Sequence, residues 1–280
     1  GGSYLTDYRL KVFKKASLCR HFEEMAFRAI KEKIIKYPVY LSSGQEYVSS
    51  SIATILEDYP SSPDIFIQHR GHSTYLAFGG DIPSLIRELL GKADGCSNGM
   101  GGSASIQCKE KNIYGHDGLM GNQIPISVGA CFASKNPTIA FVGDSAAEED
   151  YVLSSIGWAA TKNLPIIFIV EDNNLSILTE KKVRRSWEIH DIGNAFGIES
   201  YNISDEPNDI KKHLKDPFSK PLLLNINTER KYWHAGAGID GDTFDRYADE
   251  MKGIGEEALK IDNQIKNYIE KEWEKQLEKQ

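Results

Sequence analysis

Apolar residues recur every three or four positions between residues 10 and 37: Phe13, Ala16, Cys19, Phe22, Met25, Ala26, Ala29 and Ile30. That period predicts one long amphipathic helix, with Pro38 as its stop. A second helix is expected over residues 45–56. Residues 64–68 are a short strand candidate that empties into His69-Arg70-Gly71-His72. A short helix is expected over 82–90 behind Pro83, and residues 114–133 should end in a helix of small residues. Two continuous apolar runs, 138–142 and 165–170, flank a segment whose Tyr151, Val152, Ile156, Trp158, Ala159 and Ala160 suit a helix. Residues 181–189 carry four basic side chains and no apolar period, which reads as a loop feeding a helix near Ala195. Strands are expected over 198–203 and 221–226. The last element, 255–280, is a charged helix with a stripe of Ala258, Ile261, Ile265, Tyr268, Ile269 and Trp273. Such a stripe buries against the domain or a partner chain.

Strand, helix and strand over residues 138–170 imply a right-handed parallel crossover. The expected fold is α/β, a doubly wound parallel sheet with helices on both faces. With 280 residues, 40% of them hydrophobic, the chain can bury a sizeable core. We expect one domain over residues 4–280, with Gly1-Gly2-Ser3 as a cloning remnant. A net charge of −7 argues against nucleic acid as a partner. No apolar run approaches membrane-spanning length, and no signal-peptide pattern opens the chain, so a cytoplasmic protein with no membrane partner is expected. Cys19, Cys96, Cys108 and Cys131 lack paired spacing and read as free thiols.

The candidate chemistry sits where the two central strands end. The first stops at Gly143-Asp144 and the second at Glu171-Asp172-Asn173-Asn174. In a parallel crossover both ends lie at the carboxyl edge of the sheet, where open α/β sheets bind ligands. Asp144 and Asn173, 29 positions apart, should therefore meet. A carboxylate, an amide oxygen and a main-chain carbonyl are hard oxygen ligands of the kind Mg²⁺ takes. The competing reading is a plain crossover whose Asp and Asn serve as helix cap and turn residues. At the earlier strand end, Arg70 can grip a diphosphate with a bidentate fork, and the flanking imidazoles can donate to the same oxygens. A solvated polar loop would explain that segment equally.

Together these segments resemble the thiamine-diphosphate-dependent 2-oxo acid dehydrogenase alpha subunits, the decarboxylating component of pyruvate and acetoin dehydrogenase-like enzymes. The match is to a Gly-Asp-Gly motif followed about thirty residues later by Asn-Asn. The resemblance implies that Asp144, Asn173 and the carbonyl of Leu175 hold Mg²⁺. It implies that His69 and Arg70 hold diphosphate oxygens, with Gly143, Ser145 and Ala146 alongside the cofactor. Ser145 stands where the family usually has a second glycine. HRGHSTYLAFGGD and the Gly-rich stretch GKADGCSNGMGGSASI also match in order, so the latter reads as a structured loop instead of a linker. Gly118 and Met120 fall where the family places the aminopyrimidine and the wedge that bends the cofactor, although a core methionine fits Met120 as well.

The strand ending near residue 226 leads to YWHAGAG, where the family carries a functional histidine. His234 and His72 are the candidate catalytic groups. Gly236 replaces a second histidine of the family's His-Gly-His-Ser, and a solvated loop is the competing reading. We expect residues 234–246 to close over the diphosphate. The resemblance implies thiamine diphosphate and Mg²⁺ as cofactors and a 2-oxo acid or ketone as substrate. It also implies a separate beta subunit that supplies the activating glutamate in an α₂β₂ assembly, and a lipoyl acyltransferase as a further partner. Two alternatives stand beside it: a biosynthetic transferase with an aldehyde or sugar-like acceptor, and a scaffold subunit without cofactor.

Overall fold

The computed structural model describes residues 2–232, 235 and 243–279. Its first helix, α1 (Gly2–Lys31), buries Phe13, Ala16, Cys19, Phe22 and Ala26 completely. It ends well before Pro38. Lys33 takes a left-handed conformation at φ 59°, and the Ile34 and Lys33 N–H groups reach back to the carbonyls of Ala29 and Ile30. That is a Schellman close, formed here around a lysine instead of the usual glycine. α2 (Glu46–Ile55) follows.

Six strands form one parallel sheet in the order β2-β1-β3-β4-β8-β7. They are β1 (Asp64–Phe66), β2 (Ile113–Tyr114), β3 (Thr138–Gly143), β4 (Ile166–Asp172), β7 (Glu199–Ser204) and β8 (Leu222–Asn227). A two-stranded hairpin of β5 (Leu175–Ser176) and β6 (Thr179–Glu180) projects beyond β4. Alternate residues of each strand face opposite ways. Ile139, Phe141, Ile167 and Ile169 pack with residues of α1 and α2, of α4 (Ile82–Leu89) and of the C-terminal helix. Ala140, Val142, Phe168 and Val170 pack with α5 (Gln123–Ser134) and α6 (Asp150–Thr161). The runs Ile139–Val142 and Ile166–Val170 of the central strands are apolar without a break because both faces are covered. The doubly wound expectation holds.

The Gly-rich stretch is ordered by one side chain. Glu88, fully buried in α4, accepts from the N–H groups of Ser97, Gly99, Gly101 and Gly102. The linker reading fails because four backbone donors converge on that carboxylate.

Two further expectations, for the basic loop and for Tyr268, are corrected. The helix expected between the two central strands is α6, which begins at Asp150 behind a 3₁₀ turn over Ala146–Glu148. The basic loop contains a helix, α7 (Lys181–Arg184), before α8 (Ile189–Ala195) and, beyond β7, α9 (Pro207–His213). Another helix, α10 (Arg246–Ile254), stands just before α11 (Glu256–Glu278), with the Asp245 side chain capping it. Along α11, Ala258, Ile261, Ile269 and Trp273 are buried, but Tyr268 is 49% exposed and lies off the stripe. The four cysteines are free. No helix among the described residues is long and apolar enough to cross a membrane.

Candidate functional site

The chain leaves β1 toward β2 on one side and returns to β3 on the other. The order therefore reverses between β1 and β3, and the crevice outside their carboxyl ends is where such sheets take ligands. A cavity of about 420 Å³ lies there. Its walls include His69, Arg70, Gly118, Met120, Gly143, Asp144, Ser145, Ala146, Asn173 and Leu175, so ten of the sequence-derived site residues share one space. His234 lies outside the described residues, as do Gly236 and residues 237–242.

His72 is not part of this cavity. It opens α3 (His72–Ala77) and is fully buried. Its Nδ1 lies 2.7 Å from Glu23 Oε1, and its Nε2 lies 3.0 Å from Ser103 Oγ. Both ring nitrogens are thus committed to the scaffold, joining α1, α3 and the Gly-rich loop. The structure sets His72 apart from the cavity that gathers the other described candidates.

Arg70 is 3% exposed, and its Nη1 donates to the Leu41 carbonyl at 2.8 Å. His69 meets Tyr40 edge-on, ring centroids 5.2 Å apart. Met120 is 37% exposed on the cavity wall, which sets aside the core-methionine reading. Gly118 has φ +99°, a conformation side chains rarely adopt, and an added Cβ would meet only open space. Ser145 takes φ −75° and ψ −46°, ordinary right-handed helical geometry. The backbone there does not require the family's glycine.

The candidate metal ligands lie at the ends of adjacent strands. Gly143 pairs with Glu171, so Asp144 follows beside Asp172, with Asn173 one residue farther on. Asp144 is 2% exposed. Burial, and then repulsion from Asp172, push its carboxyl up to about 6 even though Arg184 opposes both. The Arg184 Nη2 donates to Asp144 Oδ2 at 2.7 Å and its Nε to Glu148 Oε1 at 2.8 Å. Burial also pushes the Asp172 carboxyl up. The Lys181 ammonium at 2.7 Å and the Asn225 amide more than reverse this, leaving Asp172 below its ordinary value. The chain turns at Asn174, φ +65°, into the hairpin that carries Leu175 to the cavity wall.

Sequence reasoning missed the side chains that hold this edge in place. Lys181 and Arg184 stand three apart on α7, so they share a face and reach neighbouring carboxylates. The signal available was the run of cations shortly after two acidic strand ends. Glu171, 3% exposed, was read only as part of a polar strand end. Burial pushes its carboxyl up to about 7, and hydrogen bonds from Gln68 and Gln45 moderate the shift. Gln68 Nε2 donates to it at 2.9 Å. The donors Arg70 and Arg184, the carboxylate Asp144 and the amide Asn173 are the group types that a polyanion and a hard cation take.

The family model for the dehydrogenase E1 component matches residues 14–280. The pyruvate dehydrogenase E1 component subunit alpha-1 of Oryza sativa mitochondria is 30% identical over 265 residues, covering 90% of this chain and 66% of that protein. The pyruvate dehydrogenase E1 component subunit alpha of Rickettsia bellii is 30% identical over 242 residues, covering 81% of this chain and 72% of the relative. The chain thus spans about two thirds of the rice protein's length. Among solved structures, transketolase from Campylobacter jejuni superposes with a TM-score of 0.62 at 16% identity. That alignment covers 96% of this chain and 49% of transketolase, and it speaks to the fold alone.

Proposed function

Because the chain belongs to the dehydrogenase E1 component family, we propose that it is the alpha subunit of a two-component enzyme that decarboxylates a 2-oxo acid with thiamine diphosphate and Mg²⁺. The observation that carries this reading is the cavity between β1 and β3. It gathers the oxygen donors Asp144, Asn173 and Leu175 beside the cationic Arg70 and the imidazole of His69. Such a donor set fits Mg²⁺, which keeps sites for phosphate oxygens and water. A volume of about 420 Å³ is within the range of small-ligand pockets.

Asp144, Asn173 and the Leu175 carbonyl would hold the metal. His69 and Arg70 would hold diphosphate oxygens, and Gly143, Ser145 and Ala146 would line them. Gly118 and Met120 would flank the aminopyrimidine end. Thiamine diphosphate supplies, when bound, the electron sink for the carbanion that decarboxylation leaves. The chain's own part is to bind and orient. Arg70 is held rigid by Leu41, so its fork meets an anion without losing side-chain freedom. A divalent cation on Asp144 would compete with Arg184 for the same oxygen, which frees a guanidinium at the moment phosphate charge arrives. His234 belongs to the proposal as a diphosphate and proton-transfer group on sequence grounds.

The relatives' names contain pyruvate and the word alpha. Pyruvate or a close 2-oxo acid is the proposed substrate, and a beta subunit is the proposed source of the activating glutamate in an α₂β₂ assembly. Calorimetry of the full chain with thiamine diphosphate and Mg²⁺ tests the site. Asp144→Ala should abolish metal-dependent cofactor binding with the fold retained. Wild-type affinity in that variant would overturn the assignment.

A further inference from the structure

Gln45 lies one residue before α2 and is 1% exposed. Its Nε2 donates to Glu171 Oε2 at 3.4 Å, and its Oε1 accepts from Asn173 Nδ2 at 3.0 Å. These directions are not interchangeable. An ionised carboxylate only accepts, so with Glu171 deprotonated the NH₂ end of Gln45 faces it and the Gln45 oxygen is left for Asn173. Asn173 must then turn its own NH₂ toward Gln45. Its oxygen points the other way, where the Leu175 N–H occupies one lone pair at 3.0 Å and leaves the second for a ligand. A half-turn of the Asn173 amide would set oxygen against oxygen at Gln45 and NH₂ against N–H at Leu175. Gln68, donating to the other oxygen of Glu171, fixes the anchor from the end of β1.

We propose that Gln45 is a positioning residue: braced on Glu171, it locks the Asn173 amide in the one orientation that offers Oδ1 to a divalent cation. The proposal rests on reading Asn173 as a metal ligand. An amide free to turn over would present NH₂ to the metal for part of the time. Side chains that orient metal ligands are typically worth 10–100-fold in metal affinity.

The test is a double-mutant cycle read by Mg²⁺ titration calorimetry of the full chain with thiamine diphosphate at pH 8. Gln45→Met keeps length and removes both hydrogen bonds. Asn173→Asp replaces the asymmetric amide by a carboxylate with two equivalent oxygens. Gln45→Met should weaken Mg²⁺ binding about 10–100-fold when residue 173 is Asn. It should cause no further loss when residue 173 is Asp, because orientation no longer matters. Glu171→Gln, which lets the Gln45 amide turn over, should show the same dependence on residue 173 and serves if Gln45→Met fails to fold. Equal loss in both backgrounds, or no loss with Asn173, overturns the proposal. Asp144→Ala separates the two levels. If it abolishes Mg²⁺ binding while Gln45→Met changes nothing, the metal site stands and the role of Gln45 falls. If the wild-type chain takes up no Mg²⁺, or Asp144→Ala binds normally, the metal reading falls and Gln45 with it.

Discussion

Arg184 Nη2 lies 2.7 Å from Asp144 Oδ2, so the carboxylate at the head of the sheet carries a cation supplied by the chain itself. Both side chains are mostly buried, 12% and 2% exposed, so water screens the pair only weakly. Arg184→Met should therefore raise the affinity for Mg²⁺ alone by about an order of magnitude, the scale of one charge-assisted hydrogen bond. Titration of the cofactor-free protein with Mg²⁺ checks this. Unchanged or weaker uptake would show that Arg184 does not compete with the metal.

The same carboxylate makes metal uptake pH-dependent. The metal binds the deprotonated form, and the carboxyl is pushed up to about 6 by burial and by Asp172. Affinity for Mg²⁺ should be flat above pH 7. As pH falls through 6 it should decline, approaching tenfold per unit below that. An ordinary aspartate would hold its affinity down to about pH 4. Calorimetric titrations between pH 5 and 8 distinguish the two curves.

His72 should act on stability. It pairs with Glu23 Oε1 at 2.7 Å, and both side chains are wholly buried. His72→Ala leaves Glu23 Oε1 without its partner, although Ser42 still donates to Oε2, and opens a void, which should cost about 3 kcal/mol in denaturant unfolding. Turnover per folded molecule should change little. A large fall in turnover with unchanged unfolding would return His72 to the catalytic group.

Assembly gives the broadest test. The chain purified alone should show little turnover of any 2-oxo acid, because the activating glutamate is assigned to a partner. Addition of the beta subunit should restore it. Robust decarboxylation by the isolated chain would overturn the two-component proposal.

Most of the sheet and the cavity was readable from residues. The two central strands announce themselves as unbroken apolar runs, because both of their faces are covered. Asp144 and Asn173 stand out because each ends such a run. Lys181 and Arg184 were invisible as site residues because a four-residue helix is too short to show a period. Lys33 hid the end of α1, since a left-handed cap is expected at glycine. His72 parts from His69 and Arg70 although HRGH looks continuous in sequence. The helix begins at its last residue, behind Gly71, so His69 and Arg70 stay at the strand end while His72 turns into the core. The roles of Gln45 and Gln68 depend on contacts 128 and 103 positions away, at Asn173 and Glu171. No local pattern encodes them.

The convergence of four N–H groups on Glu88 has a kinetic consequence. Withdrawal of the one carboxylate frees all four donors at once. The amide protons of Ser97, Gly99, Gly101 and Gly102 should therefore exchange with solvent deuterium through one opening event and at a common opening rate. A loop so rich in glycine would otherwise exchange residue by residue. Here it should behave as a cooperative unit whose lifetime is set by a single buried side chain on α4.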